Sequence, residues 1–224
     1  MVGHLGLGSE IYGEYVNYAK VSGSSHVGGV IGQIMAGAGR QGTGANAGTY
    51  YLGEYTVDGV KRVSSMTNYG SVVGSQAYTG GVIGAMTQNV APYDGVITVF
   101  EPTFIRNEAN VIGQTVVGGL VGRIELNNAI RLINTEDEGQ ANWSYNGNID
   151  STVYEITTNT SYAGGLFGVL STMGHQIESV FSTAVVKTSV GSSSNEGNYI
   201  GGLVGYTNEY LNVPPFIYPT RPPI

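Results

Sequence analysis

Cysteine is absent from the 224-residue chain, which excludes disulfide staples, thiolate nucleophiles and every zinc site built on sulfur, and leaves the redox compartment open. Charge is scarce too: Asp, Glu, Lys and Arg supply 11 % of residues, against roughly 25 % in an ordinary globular chain. The balance is acidic, 9 Lys and Arg against 16 Asp and Glu for a net −7. No basic surface can neutralise a phosphate backbone, so nucleic acid is excluded as a partner. No apolar run reaches the roughly 18 residues of a membrane-spanning helix, so no membrane insertion is expected. Met1-Val2-Gly3-His4-Leu5-Gly6 lacks the basic start and apolar centre of a secretory signal, so an exported form is expected to be a processed or excised chain.

Glycine is what the chain has in excess, 36 of 224 residues, more than twice the ordinary share of roughly 7 %. A hydrophobic content of 41 % is too high for a disordered polar tract, and glycine does not recur at every third position as in collagen. The chain should fold, and one all-β unit of this length buries a core without staples. Residues 1–210 read as one repeat domain and residues 211–224 as an extended, proline-rich tail.

Self-similarity organises the rest. Gly-Gly-Val-Ile-Gly occurs at 28–32 and 80–84, Gly-Gly-Leu-Val-Gly at 118–122 and 201–205, and Gly-Gly-Leu-Phe-Gly at 164–168. A degenerate sixth copy runs from Val2 to Gly6. Upstream, an asparagine element recurs: Asn17-Tyr18 before the first full core, Asn68-Tyr69-Gly70 before the second, and Asn110-Val111-Ile112-Gly113 before the third. The shortest unit holds three β-favouring stretches, Glu10-Ile11-Tyr12, Tyr15-Val16-Asn17 and Lys20-Val21-Ser22, bounded by Gly or Ser. Such a unit cannot bury its own apolar side, but stacked copies can share one core. The expected fold is an all-β solenoid of about six irregular coils with inserted loops and hairpins.

In stacked strands about 4.8 Å apart, a recurring glycine becomes a column where backbones approach closely. Between the glycines sit two adjacent apolar residues, and neighbours in a strand point to opposite faces. The column Val30, Val82, Leu120, Leu166 and Leu203 is expected to fill the interior. The column Ile31, Ile83, Val121, Phe167 and Val204 is then expected to face outward as an apolar wall, covered by an inserted segment or by another protomer. The alternative is a local bend that turns both residues inward.

These cores, separated by an Asn-x-Gly-x-Val segment that Asn68-Tyr69-Gly70-Ser71-Val72 fits well, resemble the GLUG repeats of large bacterial surface proteins, adhesins and some secreted peptidases. The resemblance covers residues 2–206 through six starts, while Asn134-Thr135-Glu136 and the region around Val185 depart from the pattern. It implies a right-handed parallel β-helix that is extracellular or cell-surface, adhesive or structural, and without catalytic residues of its own.

If about 25 residues make a plain coil, the excess falls at about 33–60, 85–105, 123–155 and 169–182, read as surface insertions. Gly48 to Val57, Asp58-Gly59 and Val60 to Val63 spell a hairpin, since Asp-Gly suits a type I′ turn. Residues 127–133 have a short helical look. Five of the seven prolines crowd the last eleven residues, forbidding a further paired central strand. The tail is either a cap over a sheet edge or an arm whose Phe216, Ile217 and Tyr218 dock on a neighbouring protomer. An open first coil and an extended tail favour self-association end to end into a homo-oligomer or filament.

Chemistry-bearing constellations are thin. His4, His26 and His175 show no ligand spacing and read as loop histidines. No Gly-x-Ser-x-Gly elbow occurs. Gly37-Ala38-Gly39-Arg40-Gln41-Gly42 spells the phosphate-loop pattern but opens no amphipathic helix, so it reads as coincidence. Asn146, Asn148 and Asp150 with Glu155, and separately Glu136-Asp137-Glu138, give weak candidates for Ca²⁺ that more simply are hydrated turns. No catalytic, cofactor-binding or metal residue is assigned. Tyr50, Tyr51, Tyr55, Trp143 and Tyr145, placed on inserted loops, could stack on a glycan or host-surface ligand, or could simply cover the solenoid side. Asn142 and Asn159 open glycosylation sequons. The expectation is a non-enzymatic building block of a surface fibre or large adhesin. Its alternatives are a carbohydrate-binding tip and a carbohydrate-active β-helix enzyme using carboxylates among Glu136, Asp137, Glu138 and Asp150.

Overall fold

The computed structural model describes residues 1–43, 48–53, 55–57, 60–62, 64–88, 96–125, 128–132, 143–145, 155–158, 162–171, 176–177, 180–188 and 199–207. Every regular element among them is a strand, and the strands assort into parallel sheets. Sheet I stacks Val2–Leu5, Ile31–Met35, Ile83–Thr87, Val121–Ile124, Phe167–Leu170 and Val204–Thr207. Sheet II holds Thr49–Gly53, Ile97–Glu101, Asn128–Leu132 and Gln176–Ile177, with Arg40–Gln41 antiparallel on its edge. Sheet III holds Gly13–Asn17, Ser64–Asn68, Phe104–Asn107, Trp143–Tyr145 and Val180–Ser182. Sheet IV holds Val21–Gly23, Val72–Gly74, Val111–Ile112, Glu155–Thr158 and Val185–Thr188. Sheet V holds Val27–Gly28, Tyr78–Gly80, Val116–Gly118, Tyr162–Gly164 and Tyr199–Gly201.

The chain visits these sheets in the order I, II, III, IV, V and then returns to I, so each circuit lies in register on the one before. Like therefore stacks on like. In sheet IV the register places Val21, Val72, Val111, Ile156 and Val186 in one column. One apolar cluster runs along the inside of all the sheets, with Met66, Phe100, Ile105 and Leu120 fully buried in it. The first circuit is short because Gly6 to Tyr12 passes the position of sheet II without forming a strand, although Ile11 still contributes a buried side chain.

Several expectations are corrected. Much of the supposed insertion is regular strand: Thr49–Gly53 pairs parallel with Ile97–Glu101, so only Tyr55–Val57 and Val60–Arg62 make the hairpin. Asn128–Leu132 is a strand of sheet II, not a helix. Sheet pairing overrides a weak local preference in so short a segment.

The apolar wall is also corrected. Ile31, Ile83, Val121 and Phe167 are at most 1 % exposed and belong to the chain's own core, as do Val30, Val82, Leu120 and Leu166. Val204, in the last strand of sheet I, is half-buried, as is Leu203. The cause is the corner between sheets V and I. The Val82 carbonyl accepts from the N–H groups of both Val30 (2.9 Å) and Ile31 (3.0 Å). Leu120 does the same for Val82 (2.9 Å) and Ile83 (3.0 Å), Leu166 for Leu120 (2.8 Å) and Val121 (3.0 Å), and Leu203 for Leu166 (2.9 Å) and Phe167 (3.0 Å). Two successive N–H groups converge on one oxygen only where the strand is bent, and that bend turns two successive side chains to the same side.

Glycine makes the bend possible. A Cβ on Gly80 would lie 1.9 Å from the Ile83 oxygen three residues on, inside the turn. On Gly84 it would lie 2.5 Å from the Gly32 oxygen and 2.5 Å from the His26 carbonyl carbon. All these atoms are backbone, so nothing can swing away. Gly84→Ala is expected to cost about 1–3 kcal/mol, the range of overpacking with forced backbone shifts, read as a lowered urea midpoint.

Candidate interaction surfaces

The recurring asparagine forms a buried ladder at the corner between sheets III and IV. Asn17 Nδ2 donates to Asn68 Oδ1 at 2.7 Å, and Asn68 Nδ2 donates to Asn107 Oδ1 at 2.7 Å. Each amide also closes its own turn, donating to the carbonyl two residues on: Ala19 at 2.8 Å, Gly70 at 2.7 Å and Ala109 at 2.9 Å. The N–H of that same residue returns to Oδ1 at 3.0, 3.2 and 3.3 Å. Asparagine is suited to this because one planar amide carries two donors and an acceptor with two lone pairs. The third rung is Asn107, not the Asn110 expected from the recurring asparagine element. The spacing that would have found it is Asn followed four residues later by valine, as in Asn17 and Val21, Asn68 and Val72, and Asn107 and Val111. In the later circuits the register puts Tyr145 and Ser182 at this position, where the sequence departs from the repeat.

The ladder explains the second glycine of each pair. A Cβ on Gly29 would lie 2.3 Å from the Gly81 oxygen and 2.4 Å from the Asn68 amide carbon. On Gly81 it would meet the Gly119 oxygen at 2.0 Å and Asn107 Nδ2 at 2.2 Å. The glycine pair and the asparagine, distant in sequence, thus occupy one space.

Aromatic side chains stack along the outside. Tyr18 and Tyr69 lie parallel, centroids 5.0 Å apart and planes 5° from parallel, with Tyr18 76 % exposed. Burial raises the Tyr69 phenol pKa, helped by the carboxylate of Glu108. In sheet V, Tyr162 and Tyr199 stack at 5.3 Å, and Tyr206 of sheet I lies 5.2 Å from the first and 5.7 Å from the second. Two circuits earlier, the Tyr78 ring takes the edge of His26 at 5.2 Å and the Arg123 guanidinium at 5.0 Å. Arg123 Nη1 also donates to the Tyr78 hydroxyl at 2.9 Å and pairs through Nε with Glu125 at 3.3 Å. This cationic face is thereby internally neutralised.

The residues expected to contact a ligand are not gathered on a loop cluster. Tyr50 and Tyr51 are half-buried in sheet II, Tyr55 is in the hairpin, and Trp143 and Tyr145 are strand positions of sheet III between Phe104–Asn107 and Val180–Ser182. Stacking pressure places them in sheets because each circuit needs a strand at those positions. Phe216, Ile217, Tyr218 and the rest of the tail lie outside the described residues, as do Glu136, Asp137, Glu138, Asn142, Asn146, Asn148, Asp150, Asn159 and His175. Glu155 is a strand residue of sheet IV. Among the described residues no group of three His, Asp or Glu is placed to hold a metal ion, and no helix is long and apolar enough to cross a membrane.

The glycine-rich segment at 37–42 binds the protein itself. Gly37 N–H donates to Thr98 Oγ1 at 2.7 Å, Ala38 N–H to the Met35 oxygen at 2.9 Å and Gly39 N–H to the Ser9 oxygen at 2.8 Å. With these donors committed, no cradle for a phosphate is left.

Two predictions follow from this geometry. Asn68→Ala strands polar groups on both neighbouring rungs, and at about 1–3 kcal/mol per orphaned buried group should lower the urea midpoint more than Asn17→Ala at the ladder's end. His26 has its pKa held below the ordinary 6.5, chiefly by burial and further by His4, with Glu125 opposing. The unfolded chain therefore takes up this proton first, so the stability present above pH 6.5 is lost as pH falls toward the lower folded value. His26→Asn, which tolerates the backbone φ of 52°, should show a smaller loss in midpoint between pH 7 and pH 5.5 than the wild type.

No family model matches the chain, and no curated protein or solved structure matches it.

Proposed function

We propose that this chain is a non-enzymatic β-solenoid, right-handed as the resemblance to GLUG repeats implies, that serves as a structural or adhesive building block outside the cell. It assembles through the ends of its stack of circuits, not through a lateral apolar wall. One observation carries the reading. Of the twelve exposed large apolar side chains among the described residues, Met1, Leu7, Tyr12, Val16 and Tyr18 lie on the first circuit and Val185, Tyr199 and Ile200 on the last complete one. Apolar surface in a stack of parallel strands is covered by the next circuit, so concentration at the two ends marks where more of the same architecture belongs.

A second reading, an adhesive module that binds glycans, draws support from the exposed Tyr18 ring, whose stacked neighbour Tyr69 covers one face only. Sugars stack on such faces. The two readings separate in solution. End-on assembly predicts that mass measured by light scattering rises with protein concentration and that negative-stain images show rods growing in length at constant width. A mass equal to the 23.5 kDa chain at every concentration would overturn the building-block reading and favour glycan binding, to be tested with Tyr18→Ala on a glycan array.

A further inference from the structure

The glycine columns say how the ends join. In sheet I the third glycine of each core stands against the carbonyl of its counterpart one circuit earlier. A Cβ on Gly32 would lie 2.6 Å from the Gly3 oxygen, on Gly84 2.5 Å from that of Gly32, on Gly122 2.5 Å from that of Gly84, on Gly168 2.5 Å from that of Gly122, and on Gly205 2.7 Å from that of Gly168. Gly3 belongs to this column yet would meet nothing within 4 Å. At the opposite end, Gly202 belongs to the column in which Gly29, Gly81 and Gly165 face a glycine oxygen 2.0–2.3 Å away, and it too would meet nothing. Both are glycines whose cause is missing from the described chain.

Sheet V shows the same vacancy from the other side. The register aligns Val27, Thr79, Val117, Ala163 and Ile200. Thr79, Val117 and Ala163 are at most 1 % exposed, whereas Ile200 is 48 % exposed. The reason is the sheet I strand beyond each: Gly122 packs on Thr79, Gly168 on Val117 and Gly205 on Ala163. The next glycine in that series would pack on Ile200.

We infer that the occupant is a second copy of this chain, whose Val2–Leu5 adds as a parallel strand to the outer edge of Val204–Thr207. This deepens the end-on reading above and rests on it. The known register dictates the contact. His4, Gln33, Ala85, Arg123, Val169 and Tyr206 form one column of sheet I, so the incoming His4 lies over Tyr206, Gly3 over Gly205 and Val2 over Val204. The Gly205 carbonyl then stands against Gly3, and Gly3 packs on Ile200. Met1 falls in the column of Val30, Val82, Leu120, Leu166 and Leu203, covering the half-buried Leu203. The two edges differ, so the contact is heterologous and does not close on itself, which yields filaments rather than dimers.

The absence of cysteine makes the joint testable. Neighbouring strands place paired Cα atoms roughly 4.8 Å apart, within the roughly 4.4–6.8 Å that a disulfide spans. Under mild oxidation the double variant His4→Cys/Tyr206→Cys should give a ladder of covalent multimers on denaturing gels. The control His4→Cys/Val185→Cys, with its second thiol on sheet IV, should not. Gly3→Ala, which meets nothing among the described residues, should keep the wild-type urea midpoint and reduce assembly at least tenfold in concentration dependence. Concentration-dependent growth without the specific cross-link, or growth unaffected by Gly3→Ala, would overturn this joint while leaving end-on assembly standing. A mass that never exceeds one chain would overturn both.

Discussion

A single carbonyl oxygen accepting two successive N–H groups from the circuit before is the constraint on which the rest of the structure depends. It recurs at Val82, Leu120, Leu166 and Leu203, and it bends the chain where sheet V becomes sheet I. Because the bend turns two adjacent side chains inward, each corner contributes a pair such as Val82 and Ile83 to the core instead of one residue. The doubling is what lets a chain with so much glycine still bury a continuous apolar interior. The same bend brings backbones within a distance that no Cβ survives, so the glycines are a consequence of the hydrogen-bond geometry rather than a source of looseness.

The asparagine ladder extends this logic to the polar interior. A buried amide left unpaired is costly, and here every rung is satisfied by its neighbours and by its own turn. Since the second glycine of each pair makes room for the asparagine of the next circuit, the corner motif and the ladder position constrain one another across the stack. The ladder runs through Asn17, Asn68 and Asn107 and gives way to Tyr145 and Ser182. Circuits on that side are built by apolar register with the amide replaced, and Ser182 still closes its turn by accepting from the Ala184 N–H at 3.2 Å.

An architecture in which every circuit is both template and cap has no intrinsic stopping point, so its ends are where interaction is to be sought. On the lateral surface Arg123 is held between Tyr78 and Glu125. The ends carry uncovered rings, glycines without a neighbour and half-buried leucine and valine. That distribution is the ground on which assembly by stacking is proposed.

Much of this was legible in the sequence. The six glycine cores, the all-β class, the inward column headed by Val30 and, of the hairpin expected over residues 48–63, its inner strands Tyr55–Val57 and Val60–Arg62 all follow from local patterns, because recurring spacing and turn chemistry are properties of contiguous residues. On sequence alone the direction of Ile31, Ile83, Val121 and Phe167 stands between an outward wall and an inward bend, since strict alternation assumes a straight strand and only the inter-circuit hydrogen bonds decide for the bend. Asn107 was missed in favour of Asn110 because the ladder is defined by what lies one circuit away. Trp143 and Tyr145 looked like loop residues for the same reason, their strand existing only through parallel partners more than thirty residues distant. The sequence by itself determined that the chain is a repeat with glycine at each corner. Which side chains face the core, and which residues stand over one another, was decided by register between circuits, a long-range pairing that no local window contains.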